Sequence, residues 1–200
     1  MKVNGDFMNY EDKIKEFLKN NHGYISTSEL LGLGVNKPMI KKYVDNGLIR
    51  KVSHGLYIGS NLLSDDEYIF QRRYPEAIFS YNTALYFLNL SNRAPHKIEI
   101  TLSNKKRIYC DYEVHYVSDK YYDIGIIEIE SIFGNPIKVY NAERSICDML
   151  RNGEFELELQ NTILRNYFRS KEKDLDKLLE YAKIFKIYDK VNTLVEYEMG

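Results

Sequence analysis

Two groups of side chains in this chain have the types and spacing to do chemistry. The first lies in Asn36 to Ile58, NKPMIKKYVDNGLIRKVSHGLYI, where Lys37, Lys41, Lys42, Arg50 and Lys51 are opposed only by Asp45. Concentrated cations of this kind neutralise phosphates. Asn36 and Lys37 stand where a helix N-terminus would enter a major groove, and Lys41 and Lys42 would hold the backbone or bases. Arg50, Lys51, Ser53 and His54 follow on a hairpin that would touch the flanking strand. The second group is Asp111, Glu113 and His115, spaced at period two on one strand face, where such a trio could hold a metal or form a hydrolytic centre. Its plainer reading is the wet face of a half-buried strand with Tyr112, Val114 and Tyr116 turned inward. No P-loop, GxSxG, HExxH or dinucleotide glycine pattern supports catalysis, so neither an enzyme nor a bound metal or cofactor is expected.

The elements that must position the basic group are legible nearby. Asn36 can cap a helix, Pro38 is tolerated in its first turn, and Gly47 can stop it in a left-handed conformation. Ile40, Tyr43 and Val44 recur at helical spacing and would pack inward. Leu48 to Lys51 and Leu56 to Ile58 then read as short strands around a tight turn. Upstream, Tyr10 to Leu18 forms an amphipathic helix, Tyr24 and Ile25 a strand, and Ser26 or Thr27 caps a second helix that ends at Gly32 and Gly34. Helix, helix, helix and hairpin in this order make a winged helix-turn-helix.

Residues 1–9 lack a pattern and read as a frayed end, and Gly59 to Leu63 is a boundary, which predicts a first domain over 1–60 and a second over 61–200. The second opens with a capping box, Ser64 and Glu67, on a helix stopped by Pro75. A further helix carries Ala84, Leu85, Phe87 and Leu88, and strands are expected around Ile78, over His96 to Leu102, Glu113 to Val117, Ile126 to Glu130 and Ile137 to Tyr140. Asn141 caps a helix that stops at Asn152 and Gly153, and three more amphipathic helices follow. The fold class is α+β: the winged helix, then a mixed domain with a small, mostly antiparallel sheet and C-terminal helices.

Composition sets limits on partners. The formal net charge of −1 argues against a uniformly basic nucleic-acid binder, but the charge is segregated. Arg93, Lys97, Lys105, Lys106 and Arg107 form a second basic cluster opposed locally only by Glu99, either an auxiliary basic surface that continues a DNA path or docks a partner, or an ordinary solvated turn, while acids gather in Asp119 to Glu130 and Glu154 to Glu158. No apolar run approaches the roughly 20 residues of a membrane span, and the start lacks a secretory core, so a cytoplasmic protein without membrane partners is expected. Cys110 and Cys147 lack metal or disulfide spacing and read as small buried hydrophobes. No heptad or apolar stripe argues for a dimer, and a monomer in solution is expected.

Taken together, the winged helix with its RKVSHGLYIGS wing, the EIT strand and the NAERSICDML helix resemble the AbiEi antitoxin family. The resemblance implies a repressor of its own operon that binds repeated promoter sites, encoded beside a nucleotidyltransferase toxin in a bacterial abortive-infection system against phage. It also implies that the C-terminal domain counters the toxin, with Glu143, Arg144 and Asp148 as a candidate antitoxic surface; read from the residues alone, the three are a local charge network on that helix with a structural role, Glu143 being favoured near the positive helix start. Wings in the family often carry Arg before the glycine where this chain has His54, which leaves the main phosphate contacts to the lysines. Apart from the resemblance, a winged helix can instead dock a protein, and the trio at Asp111 leaves a metal-dependent nuclease as a further alternative.

Overall fold

The computed structural model describes residues 9–152 and 155–199. The unpatterned start, all but Asn9, and the expected stop at Gly153 lie outside them. The chain divides into two compact units, Met1–Arg73 with Ile132–Asn135, and Tyr74–Ser131 with Pro136–Gly200.

The first unit runs α1 (Tyr10–Asn20), β1 (Tyr24–Ser26), α2 (Thr27–Gly32), α3 (Lys37–Asp45), β2 (Ile49–Ser53), β3 (Leu56–Gly59) and α4 (Asp66–Arg73). Local chemistry sets its helix ends. The Ser26 hydroxyl accepts from the Glu29 amide at 3.2 Å, and the Glu29 carboxylate accepts the Ser26 amide at 2.6 Å, a reciprocal capping box. Partial burial pushes the Glu29 carboxyl up, but the two Ser26 bonds and Arg72 of α4, 3.2 Å away, outweigh it and hold the group below its ordinary value. Ile14, Leu18, Ile25, Leu30, Ile40, Tyr43 and Ile49 form the core beneath an antiparallel sheet in the order β1-β3-β2. At α4 the cap differs from the Ser64 box expected. The buried Asp65 accepts the Tyr68 amide at 2.9 Å through Oδ1 and the Asn135 side-chain amide at 2.6 Å through Oδ2, so the same carboxylate starts the helix and ties down the Ile132–Asn135 loop.

The second unit carries β4 (Ile78–Phe79), α5 (Tyr81–Phe87), β5 (Glu99–Ser103), β6 (Glu113–Val117), α6 (Asp119–Tyr122), β7 (Ile126–Glu130), β8 (Pro136–Tyr140), α7 (Ala142–Asn152), α8 (Leu157–Arg169), α9 (Leu175–Ile184) and α10 (Tyr188–Met199). Its sheet has the order β6-β5-β4-β8-β7, with antiparallel β4–β5 and β7–β8 pairs and parallel β5–β6 and β4–β8 pairs. The single-turn α6 carries no sequence signal strong enough to be expected. The helical core gathers Leu85, Ile146, Met149, Ile163, Tyr167, Leu178 and Phe185. Cys147 is buried there and its thiol is pushed up to about 12 by burial, which makes it inert at neutral pH, whereas Cys110 is only half-buried. No helix among the described residues is long and apolar enough to cross a membrane.

The candidate antitoxic surface is not a surface. Glu143, Arg144 and Asp148 are 5%, 0% and 1% exposed. Arg144 lies at the centre, with Nε donating to Asp148 Oδ2 at 2.7 Å and Nη1 donating to the carbonyls of Tyr121 at 2.6 Å and Ile124 at 2.9 Å. Its plane lies over the rings of Tyr140 and Phe185, at 4.2 and 4.5 Å. Glu143 instead accepts from the Tyr167 hydroxyl at 3.1 Å and the Asp174 amide at 3.3 Å, joining α7 to the start of α9. Both charges of the Arg144–Asp148 pair are out of water, so removing Arg144 leaves the buried Asp148 carboxylate only the partly exposed Arg151, 3.5 Å away. Arg144→Ala is expected to destabilise the second unit by about 3–5 kcal/mol. The Arg144→Met, Asp148→Leu double variant should recover most of that loss, as read by urea unfolding followed by circular dichroism; a double variant no more stable than Arg144→Ala would show that geometry, not charge burial, sets the cost.

Candidate nucleic-acid interface

Helix α3 is built from both ends as its sequence dictates. The Asn36 side chain accepts the Met39 amide at 3.0 Å, Pro38 sits in the first turn, and Gly47 leaves the helix at φ +70°. Ile40 and Tyr43 are buried against the core, which turns Lys37, Lys41 and Lys42 to solvent. Lys37, Lys41 and Val44 follow one stripe at i, i+4 and i+7.

That stripe meets the hairpin. Lys51 of β2 pairs directly with Tyr57 of β3, and the two residues project beside α3. Thr27, Lys37, Ile40, Lys41, Val44, Lys51 and Tyr57 line an open groove of about 350 Å³. The side chains of Lys37, Lys41 and Lys51 make no hydrogen bond or ion pair among the described residues. The arrangement is a groove with apolar and aromatic walls and a cationic rim, suited to a phosphate backbone with sugar or base edges against Val44 and Tyr57. The wing itself is short. A bulge between Lys51 and Ser53 leads into the two-residue turn His54-Gly55, and the Gly55 carbonyl accepts the Thr27 amide at 2.8 Å. The tip is therefore tied to the start of α2, with His54 exposed on it.

The expected contact residues thus separate by position. Lys37, Lys41 and Lys51 converge on the groove, whereas Lys42 is exposed but outside the groove lining. Arg50 also lies outside it, with Nη2 donating to the Leu62 carbonyl at 3.1 Å. Asn36 has its side-chain oxygen committed to the cap, and Ser53 is half-buried. Val44, read from the sequence as packing alone, lines the groove, and Thr27 and Tyr57 are additions. Alternation on β3 could have revealed Tyr57, since Leu56 and Ile58 on either side are buried; Thr27 comes in through its bond to Gly55, which no local pattern announces.

The whole of this groove falls inside one stretch, from α1 to the end of the hairpin. Residues 12–58 match the family of AbiEi antitoxin transcriptional regulators. The AbiEi match supports a role as transcriptional regulator and antitoxin, and α3 and all of the wing but Gly59 lie inside the matched span. No curated protein matches the chain.

The second basic cluster, by contrast, is largely neutralised. Arg93 pairs with Glu156 at 2.7 Å, Lys106 with Glu76 at 2.7 Å, and Lys105 with Asp119. Arg107 donates to the Asn104 carbonyl and stacks on Tyr116 at 4.2 Å, which leaves Lys97 exposed and unpaired among the described residues. The Asp111 trio also comes apart. Asp111 lies in a bend before β6 and is exposed, Tyr116 is 40% exposed instead of turned inward, and Glu113 and His115 group with Glu99 of β5.

Because the Asn36 oxygen caps α3, Asn36→Ala is expected to cost about 1 kcal/mol and Asn36→Ser to recover it. Thermal denaturation of the two variants checks this; equal stability would free Asn36 for a contact role.

Proposed function

We propose that this chain is a DNA-binding repressor of its own operon and the antitoxin of a bacterial abortive-infection system. The winged helix binds repeated promoter sites, and the second unit counteracts a nucleotidyltransferase toxin in the cytoplasm. The observation that carries the reading is the convergence of Lys37, Lys41 and Lys51 on one groove between α3 and the hairpin, within the span that matches AbiEi regulators. Phosphates seated on that rim release counterions, so affinity falls with salt in proportion to the number of phosphates held.

Each of Lys37→Ala, Lys41→Ala and Lys51→Ala is expected to flatten the log-log dependence of affinity on salt by about 0.9 for every phosphate that its ammonium neutralises. Arg50→Ala, whose guanidinium is bonded to Leu62, leaves the slope unchanged. Fluorescence anisotropy with the duplex upstream of the gene, titrated at several salt concentrations, reads these slopes. A triple lysine variant that is folded and binds as the parent does would remove the groove from the account. The same variant, co-expressed with the toxin, is expected to lose repression of a promoter reporter while still protecting growth, since protection is assigned to the other unit.

A further inference from the structure

The second unit holds a pocket of about 230 Å³ whose lining includes three carboxylates, Glu99, Glu113 and Glu156, against one guanidinium, Arg93. Arg93 is already paired with Glu156, at 2.7 Å, so the pocket's remaining charge is that of Glu99 and Glu113. Beside them is the His115 ring. The ligand-type atoms of Glu99, Glu113 and His115 all lie within 4.8 Å of one another. We propose that these three residues form a binding site for a divalent transition-metal cation such as Zn²⁺ or Mn²⁺.

The three ligand-type atoms are close enough for one cation to reach them all. His115 Nε2 and Glu99 Oε2 are 2.9 Å apart. That is the hydrogen bond the two make with each other, which a cation would replace. Metal bonds of about 2.1 Å put two ligand atoms about 3 Å apart in octahedral and about 3.4 Å apart in tetrahedral geometry, so manganese can take both atoms nearly where they stand and zinc after a small opening. Glu113, on the neighbouring strand, has no side-chain partner among the described residues and is exposed, free to close on the same ion. The strand register makes the set possible. Parallel pairing puts Glu99 beside Glu113 and Thr101 beside His115, so all three ligands project from one face of β5 and β6.

Supporting contacts fix the two less exposed ligands. The Asn82 amide donates to Glu99 Oε1 at 3.2 Å, which leaves Oε2 facing the histidine. The Tyr81 ring stacks on the His115 ring with centroids 3.8 Å apart, and the Tyr81 hydroxyl is held by the Asn152 side-chain amide at 2.8 Å. Tyr81 takes this position at φ +50°, a conformation that a bulky residue adopts only when its surroundings enforce it. Outer contacts that orient ligands in this way are a regular part of metal sites. One imidazole nitrogen and two carboxylates suit zinc or manganese better than calcium, which prefers an all-oxygen set. The site lies wholly in the second unit and does not depend on the DNA-binding reading.

The test uses the full chain, untagged and stripped of metal by chelator. Calorimetric titration with ZnCl₂ or MnCl₂ is expected to show one site per chain, and the same metal to raise the melting temperature. Glu113→Gln, at an exposed position, should keep the metal-free melting temperature and weaken binding at least about tenfold, since removing a ligand costs no less than removing a group that only orients one. Asp111→Asn should bind as the parent does. Absence of heat and of thermal stabilisation with both metals overturns the proposal, and so does a Glu113→Gln variant that binds with the parent's affinity.

Discussion

A guanidinium withdrawn from water costs several kcal/mol unless its charge and its N–H groups are answered by protein, and the second unit is arranged around that requirement at Arg144, where Nε and Nη1 are answered and Nη2 is left without a hydrogen-bond partner among the described residues. Asp148, one turn along α7, supplies the counter-charge. The chain between β6 and β7 supplies carbonyls from Tyr121 and Ile124, which gives the one-turn α6 a reason to exist. Rings from β8 and from the end of α9 cover the faces of the group. Even the backbone of the connecting loop is chosen for it. Gly125 has φ +83°, and a Cβ there would stand 2.7 Å from the Arg144 Cβ, so only glycine lets the loop come close enough to accept the Asn141 amide at 2.7 Å. Burial pushes the Asp148 carboxyl above its ordinary range, and Arg144 is the largest of the charges that offset it.

The first unit resolves a different constraint, that one short helix must serve a core and a groove. Ile40 and Tyr43 anchor α3 from below, and the stripe one step round the helix is left for Lys37, Lys41 and Val44. Nine residues give too few turns to be stable alone, so the Asn36 cap, the Gly47 stop and the packed face together hold it. Tying the wing turn to Thr27 then sets the far wall of the groove at a fixed distance from the same core.

What could be read from the sequence and what could not follows the range of the forces involved. Caps and stops are local, so Ser26 as a cap, Asn36 and Gly47 were legible as residue types at helix ends, while the return bond that joins Glu29 to Ser26 was not read. The α+β class was legible from apolar periodicity for the same reason. The parallel pairs were not, because β4 is two residues long and finds its partner β8 some sixty residues away. The Asp111, Glu113, His115 trio assumed a strand that continued upstream, whereas β6 begins at Glu113 and its third ligand-type neighbour comes across the ladder from Glu99. In α7 the pattern identified the apolar face and a local charge network of Glu143, Arg144 and Asp148, but not its burial; nothing within ten residues of Arg144 shows that carbonyls at Tyr121 and Ile124 will be waiting for it.

Net charge is a poor guide to phosphate binding in this chain because its cations differ in what they already hold. The sum over all residues is −1, yet a cation bound to a carboxylate has already surrendered much of its field and has no counterion to release. Arg93, Lys105 and Lys106 are of that kind, each within ion-pair distance of an acid. Lys37, Lys41 and Lys51 are not, and the only acid in their stretch, Asp45, sits at the opposite end of α3 from Lys37. There the helix dipole adds its positive end to the lysines, so the field at the start of α3 is set by unpaired cations and aligned peptides together. A basic cluster counted in sequence becomes a phosphate site only where the fold withholds the acids, and of the two clusters in this chain the fold withholds them at α3.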